Sequence, residues 1–296
     1  MITFFGMPTR SSGIIRGLQI ATHVGGNFYD KNSLVLISGD NKIYPKCVFI
    51  RDINKSHARN LKNKGHKIIY DLLDRPVADL HREQGINPKL KDISWKDYVD
   101  PCIDVFLVNN RKCYEMLEDH INPEQKIVIM PHHLITGNKV EKIPNRPIKN
   151  IGYLGTMDQL HSKEEISKFC ESKGLKLLAK NIKSHKECID FLKNIDIGLI
   201  YVDHNDRTDY VLKYKPNTKL TNFQAFGIPT ICCKYISFEE HADKRSYIKV
   251  DNTEDLLSAI NDLISNESLR SQISENSLKN AENFKINRII EKYKNL

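Results

Sequence analysis

Short apolar runs alternate with longer helix-like stretches along the first half of the chain. The pattern predicts buried strands over "MITFFG", "SLVLIS", "KCVFIRD", "HKIIYDLLD", "CIDVFLVNN" and "EQKIVIMP". Between these runs, helices are predicted from about Ser12 to His23, over "NKSHARNLKNKG" up to Gly65, and over "RKCYEMLEDH". Strands that alternate with helices in this way are typical of an α/β sheet.

The alternation stops at residues 134–150, "LITGNKVEKIPNRPIKN", which are polar, aperiodic and interrupted by two prolines and a glycine. This composition predicts an interdomain linker. Afterwards the pattern resumes, with strands predicted over "IKNIGYLG", "LKLLAK", "IDIGLIYVD", "IPTICC" and "SYIKV" and mostly helix from Thr253 onwards. We therefore expect one α/β domain over 1–140, a second over 141–280, and a C-terminal helix over 281–296 that could pack back on the first.

Composition describes a globular protein that is not secreted. The chain has 296 residues, of which 40% are hydrophobic and 28% charged, and no apolar run approaches the ~20 residues that span a bilayer. The start, "MITFFGMPTRSSG", becomes polar too soon for a secretory signal. Seven cysteines are scattered without the spacing of a zinc site or a disulfide framework. The sequence therefore predicts a cytoplasmic protein with reduced thiols.

An excess of basic residues narrows the choice of partners. Lysine and arginine number 45 against 37 aspartates and glutamates, which gives a formal charge of +8. Such a charge favours anions, including nucleic acid, an anionic membrane face and phosphorylated small molecules. No arginine-rich block or RNP-type aromatic motif appears, so a dedicated nucleic-acid module is disfavoured.

One segment, "KYKPNTKLTNFQAFGIP", combines lysines with a predicted helix start. Pro216 and Asn217 favour a turn, and Thr218 is a suitable N-cap. Lys215 and Lys219 flank the same helix end, whose free N–H groups and partial positive charge attract phosphate. The segment therefore outlines a diphosphate site, although a capped surface helix with solvated lysines is an open alternative.

The same region resembles the nucleotide-sugar domain of GT-B glycosyltransferases, especially glycosyltransferase family 4. The run "TKLTNFQAFGIPTICC" places Ala225, Gly227 and Pro229 in register with the family's Ala-x-Gly-x-Pro, and "NIGYLGTM" resembles its first C-domain strand and glycine turn. The resemblance covers about residues 100–290 and implies an α/β fold of two Rossmann-like domains facing a central cleft, with a helical C-terminal tail. It also implies a nucleotide-sugar donor as co-substrate, with neither a metal ion nor another cofactor.

Two departures from the family concern the donor site. Asn222 stands where the family usually has a ribose-binding Glu, and only Lys163 represents the basic pair that follows the first C-domain strand. We carry over as donor-binding candidates Gly155, Thr156, Lys163, Arg207, Lys215, Thr218, Lys219 and Asn222. The acidic loop "DHNDRTDY" lacks the glycine and distal Glu of a calcium loop, so no metal site is expected there.

Two positions could supply the acid or base that an inverting transfer requires. Asp74 follows the strand in "YDLLDRP" and His133 follows another in "MPHHL". Pairing of Asp74 with Arg75, and a hinge histidine bonded to backbone, are the structural alternatives. In "MPTRSSGIIRG", Arg10, Ser12 and Gly13 form a candidate acceptor or phosphate loop, for which a purely structural turn is the alternative.

The function that these observations favour is a glycosyltransferase in cell-surface polysaccharide synthesis. Its partners would be a nucleotide-sugar donor and a glycan or lipid-linked acceptor, with lysine-rich surfaces touching an anionic membrane from the cytoplasm. Three alternatives stay open: a sugar-nucleotide epimerase on the same fold, a non-catalytic protein that binds nucleotide sugar or polyanion, and a nucleic-acid binder. An epimerase would need paired carboxylates and histidines, and the scattered candidates fit that requirement poorly.

Overall fold

The computed structural model describes residues 1–74, 95–143, 146–182, 184–202 and 212–296. It divides into two compact α/β units. The first unit contains Met1–His132, Lys213–Pro216 and Ile286–Leu296, and the second contains His133–Leu212 and Asn217–Lys285. After leaving the first unit at His132, the chain therefore returns to it twice.

A seven-stranded sheet forms the centre of the first unit, in the order β3-β2-β1-β4-β5-β6-β7. Its strands are β1 (Ile2–Gly6), β2 (Asn27–Asp30), β3 (Leu36–Ser38), β4 (Lys46–Ile50), β5 (Lys67–Asp71), β6 (Val105–Val108) and β7 (Lys126–Ile129). All neighbours pair in parallel except β3, which is antiparallel to β2 at the edge.

Among the residues that the structure describes, three helices lie between these strands, and a short turn of 3₁₀-helix lies at Trp95–Tyr98. Helix α1 comprises Ser11–Gly13, a π-helical turn Ile14–Leu18 and Gln19–Val24; α2 is Lys55–Asn63 and α3 is Arg111–Glu118. The side chains of Asn54 and Asn110 cap α2 and α3 by accepting hydrogen bonds from the first-turn amides.

The second unit is built on a five-stranded, fully parallel sheet in the order β12-β11-β10-β8-β9. Its strands are β8 (Asn150–Leu154), β9 (Lys176–Lys180), β10 (Ile197–Ile200), β11 (Thr230–Cys232) and β12 (Ile248–Lys249). Its helices are α4 (Lys163–Ser172), α5 (His185–Lys193), α6 (Thr218–Gln224), α7 (Ile236–His241), α8 (Thr253–Ser265) and α9 (Glu267–Ala281), with 3₁₀ turns at Met157–Gln159, Lys244–Ser246 and Glu282–Phe284.

Every strand predicted from the sequence is present, and the described ranges contain one further strand, β2, which had no detectable pattern in the sequence. Its four residues contain only two apolar side chains, Phe28 and Tyr29, and both are buried. Asn27 is kept in the sheet because its side-chain amide donates to Asp40, at 2.7 Å, and to the carbonyl of Lys42. Such partners lie beyond the strand itself, so its short sequence does not reveal it.

The final helix, α10 (Ile286–Lys294), completes the core of the first unit. Ile286, Ile289, Ile290 and Tyr293 are buried at the spacing of one helical face. The Tyr293 ring meets Phe4 of β1 edge to face, with centroids 5.7 Å apart. The apolar stripe of this helix therefore packs directly on β1, the third strand of the sheet.

A fully buried ion pair connects α1, β5 and α10. Nε of Arg16 donates to Asp71 at 2.8 Å, and Nη1 donates to the carbonyl of Pro131, also at 2.8 Å. The Tyr293 hydroxyl donates to the same carboxylate at 3.4 Å. Arg16 lies within the π-helical turn, and neither it nor Asp71 is exposed to solvent. Burial of two charges is tolerated here because each finds hydrogen-bond partners.

The segment predicted as a linker is held by the second unit. Backbone amides of Glu141 and Ile143 donate to the carbonyls of Ala225 and Phe226, at 2.8 and 3.1 Å. Leu134 is buried and donates from its amide to the carbonyl of Phe284. Residues 134–143 have no helix or strand of their own but are fixed to the second core.

All seven cysteines are buried and free of disulfides. Burial raises the pKa of the thiols of Cys47, Cys102 and Cys188 to about 12, which keeps them protonated. Among the described residues, no helix combines the length and apolarity needed to cross a membrane.

Substitution of Arg16→Met tests the buried pair. It leaves the Asp71 carboxylate in the core without its cation, so we expect the free energy of unfolding to fall by about 3–5 kcal/mol. Denaturant unfolding followed by circular dichroism measures the change. Arg245→Met removes an exposed pair with Asp243 and is the control; equal destabilisation by both substitutions would contradict the assignment.

Candidate functional site

The sheet of the second unit reverses its direction of winding at β8. From β8 the chain goes to β9 on one side and then to β10 on the other. The carboxyl ends of β8 and β10 therefore lie side by side, with Tyr153 in register with Leu199. In open α/β sheets, this reversal is where ligands bind.

A glycine turn follows β8 at this point. Gly155 has φ +156°, and a side-chain carbon added to it would lie 2.7 Å from Cε1 of Tyr153. The Gly155 amide donates to the carbonyl of Lys180, at 3.0 Å, which fixes the turn to β9. Thr156 then occupies the N-cap position of the 3₁₀ turn Met157–Gln159, without a capping hydrogen bond from its side chain. Only glycine fits this conformation beside the tyrosine ring.

The Tyr153 ring, which borders the Gly155 turn, also contacts Lys219. The Lys219 ammonium lies over the Tyr153 ring, 4.7 Å from its centroid. The ring is buried, and its hydroxyl donates to the carbonyl of Gln159 at 3.2 Å. Burial raises the pKa of Tyr153 to about 12, so the phenol remains neutral. A lysine cation is thus held against the ring that also borders the Gly155 turn.

The helix that carries Lys219 begins one residue earlier than predicted. Thr218 is its first residue, Asn217 precedes it, and no side chain caps this end. The prediction of Thr218 as N-cap is therefore wrong. The backbone carbonyl of Thr218 instead accepts a hydrogen bond from the Thr221 hydroxyl, at 3.1 Å.

Asn222 lies inside the second unit with 5% of its surface exposed. Its side-chain oxygen accepts a hydrogen bond from the backbone amide of Ile135, at 3.3 Å. This contact connects α6 to the segment that opens the second unit. The oxygen predicted to contact a nucleotide therefore has a backbone partner.

Several polar residues near the β8–β10 reversal escaped the sequence analysis. The Tyr201 hydroxyl lies 3.1 Å from the Thr253 hydroxyl, which is 2.8 Å from that of Ser162. The His161 ring is 5.5 Å from the ring of Tyr201. Tyr201 lies in the predicted strand "IDIGLIYVD" and directly follows the observed strand β10, so the rule that parallel strands end at one edge would have found it. Lys163 follows Ser162 in the chain and is the first residue of α4, and its side chain is exposed.

Lys215 lies in the first unit, whereas Thr218 and Lys219 belong to the second. The side-chain amides of Asn109 and Asn110 donate to the carbonyls of Tyr214 and Lys213, at 3.1 and 2.9 Å. These bonds fix Lys213–Pro216 beside β6. The two lysines predicted to share one phosphate therefore belong to different units.

Asp74 is the ion-pair partner of Lys215 and also of Arg51, at 3.3 and 3.2 Å. Burial acts to raise the pKa of the Asp74 carboxyl. The positive charges of Lys215 and Arg51 lower it by more, so the pKa lies below its ordinary value. A carboxylate held in this way has a reduced affinity for protons. The acid/base role of Asp74 stays a prediction that this environment does not favour.

In the candidate phosphate loop, Gly13 has a packing role. A side-chain carbon there would lie 2.0 Å from the carbonyl oxygen of Met7, so the first turn of α1 packs closely on the loop. Arg10 extends to Asp52, with 3.6 Å between the charged atoms. Ser12 lies between them in the first turn and is half-buried.

Two predicted site residues remain, of which one is buried and the other lies outside the described ranges. His133 begins the second unit and is 1% exposed. Arg207, like Asp203, Asp206 and Asp209, lies outside the residues that the structure describes. In the described part of the chain, no group of three or more metal-binding side chains occurs.

No family model and no curated protein matches this chain. Its structure is similar to that of Anabaena HepE in complex with UDP and glucose, with a TM-score of 0.66 and 10% identity over 99% of this chain and 98% of that one. Sucrose-phosphate synthase from Thermosynechococcus elongatus gives 0.63 at 10% identity over 99% and 97%. The trehalose-6-phosphate synthase OtsA gives 0.61 at 10% identity over 99% and 98%.

At these identities the similarity is one of fold. The GT-B fold class expected from the sequence is confirmed by it, with two Rossmann-like α/β units on mainly parallel sheets and a C-terminal helix.

The Asp74 ion pairs predict a pH-dependent contribution to stability. The pKa of Asp74 is lower in the folded protein than in the unfolded chain. The ion pairs therefore stabilise the fold fully above about pH 4, and this stabilisation is lost as the pH falls through the pKa of Asp74 in the folded protein. We expect Asp74→Asn to lower the free energy of unfolding by about 2 kcal/mol at pH 7 and by less below pH 4. Denaturant unfolding at both pH values measures this, with Asp190→Asn, at an exposed pair with Lys186, as control. A deficit of unchanged size at pH 3 would refute it.

Proposed function

We propose that this protein is a glycosyltransferase, which moves a sugar from a nucleotide-activated donor to a glycan or lipid-linked acceptor in cell-surface polysaccharide synthesis. The observation that carries the proposal is the arrangement of Gly155, Tyr153 and Lys219 at the winding reversal of the second sheet. A glycine turn beside a cation suits the diphosphate of a sugar nucleotide. The GT-B fold supports the same activity.

The donor we propose is a uridine diphosphate hexose. Anabaena HepE, which shares the fold, was solved with UDP and glucose and with UDP-glucose. In this chain, Lys219 would face the phosphates and the Gly155 turn would lie against them. Thr156, Lys163 and Thr218 border the same edge of the second unit and complete the proposed donor contacts, together with Arg207.

Negative charge develops on the leaving diphosphate during transfer. We propose that basic side chains, Lys219 first among them, stabilise this charge without a divalent ion. Support comes from the position of Lys219 and from the formal charge of +8. The same excess of charge favours a cytoplasmic enzyme in peripheral contact with an anionic membrane that carries the acceptor.

Nucleotide binding is the first test of the donor. We expect UDP, from a panel of UDP, GDP, ADP, CMP, CDP and dTDP, to raise the melting temperature of the wild type. At a hundredfold excess over Kd, the stabilisation is about 2.7 kcal/mol. Lys219→Ala should lose most of the shift in a thermal-shift assay.

Lys186→Ala is the matched control, because Lys186 is an exposed lysine of the second unit that pairs with Asp190 on α5. It should retain the full shift. If no nucleotide stabilises the wild type, the donor proposal fails. If both variants keep the shift, binding occurs but Lys219 is not its phosphate contact.

A second candidate is a protein that binds nucleotide sugar without turnover. Asn222 replaces the family's usual Glu and bonds to Ile135, and the ion pairs of Asp74 lower its affinity for a proton. Release of UDP from UDP-glucose, measured with a coupled assay, separates the two candidates. Binding with no UDP release in the presence of acceptor glycans would favour this second function.

A further inference from the structure

Two groups of three charged side chains lie at the carboxyl edge of the first sheet. We call them the basic cluster: Arg10, Lys31, Arg51, Asp52, Asp74 and Lys215. Four are cations and two are carboxylates, so the cluster carries an excess of two positive charges. All six belong to the first unit.

Each carboxylate of the basic cluster is shared by two cations. Asp52 accepts from Lys31 at 2.6 Å and lies 3.6 Å from Arg10. Asp74 pairs with Arg51 and Lys215 at 3.2 and 3.3 Å. A carboxylate cannot neutralise two cations, so each group of three retains one positive charge and unused N–H donors.

The first sheet also reverses its winding where the basic cluster lies. β1 has β2 on one side and β4 on the other, so the loops after β1 and β4 diverge at the edge. Arg10 lies in the first of these loops, and Arg51 and Asp52 lie in the second. This is the position at which open α/β sheets bind ligands.

The loops after β4 and β5 contain two residues with a strained backbone and one buried hydrogen-bond donor without a described partner. Arg51 and Leu73 adopt the left-handed conformation, with φ of 64° and 53°. Non-glycine residues seldom do so, and when they do they are concentrated at functional sites. Nε of Arg51 is buried and has no hydrogen-bond partner among the described residues. A buried guanidinium donor without a partner is unfavourable until an acceptor binds.

We propose that the basic cluster binds an oxyanion, a phosphate ester or a carboxylate, carried by the acceptor sugar. Arginine forks and lysine ammonium groups form charge-assisted hydrogen bonds with either group. Asp52 and Asp74 then hold the cations in position, and Lys215 contributes to the acceptor instead of the donor diphosphate. The acceptor identity rests on the proposed function, whereas oxyanion binding by the first unit does not.

The single tryptophan of the chain provides a local readout. Trp95 is buried, and its ring lies 5.5 Å from that of Tyr214, the neighbour of Lys215. Binding at Lys215 should therefore change the fluorescence of Trp95. Because this signal arises in the first unit, it is separate from the thermal shift that UDP produces through Lys219.

The experiment titrates the full chain with glucose 6-phosphate, glucuronate and glucose, with and without saturating UDP, and follows Trp95 fluorescence. We expect saturable binding of at least one of the two anionic sugars and at least tenfold weaker binding of glucose. The preferred anion identifies the oxyanion. Equal binding of glucose, or no response to either anionic sugar, would overturn the proposal even if UDP stabilises the protein.

Charge variants locate the site. Lys215→Gln and Lys31→Gln remove one cation from each half of the basic cluster and should each weaken binding about tenfold. Lys62→Gln is the control, since Lys62 pairs with Asp104 at the opposite edge of the sheet and its side chain is 40% exposed, as is that of Lys215. Melting curves establish that each variant is folded. Equal Kd values for folded Lys215→Gln, Lys31→Gln and Lys62→Gln would also overturn the proposal.

Discussion

Much of the first unit is organised around the guanidinium of Arg16, which water does not reach. Its Nε and Nη2 donate to the Asp71 carboxylate at the end of β5, its Nη1 donates to the carbonyl of Pro131, and the Tyr293 hydroxyl donates to the same carboxylate. The π-helical turn lies at the residues that carry this arginine into the core. Since Arg10 precedes the same helix and Asp74 follows the same strand, the buried pair fixes two of the loops that carry exposed charges.

Cations are held in two different ways in the two units. In the second unit, the ammonium of Lys219 lies over the face of the Tyr153 ring, which attracts it. In the first unit, carboxylates partly neutralise the cations and fix their geometry. A transfer reaction needs both arrangements, because the leaving group must be stabilised and the attacking group must be aligned.

Periodicity predicted every described strand except β2, most helices and the two-part architecture because these depend on local sequence. The amphipathic spacing of Ile286, Ile289 and Tyr293 likewise revealed a helix with one face to bury. Periodicity could not show, however, that Lys215 and Lys219 belong to different units. Lys215 is placed in the first unit by bonds such as that from Asn109, 105 residues before its partner Tyr214. The Gly155 turn was found through its resemblance to a family, while Tyr153, Tyr201 and Thr253 required knowledge of which strand ends are neighbours.

The return of the chain to the first unit has a consequence for how the protein is made. Ribosomes release the residues of the seven-stranded sheet first, yet Phe4 acquires its aromatic partner only when Tyr293 emerges. Asp71 likewise acquires its hydroxyl donor from the last helix. The second unit, whose core lies between His133 and Lys285, has all its residues earlier. The half of the molecule that is synthesised first is therefore the half that finishes folding last.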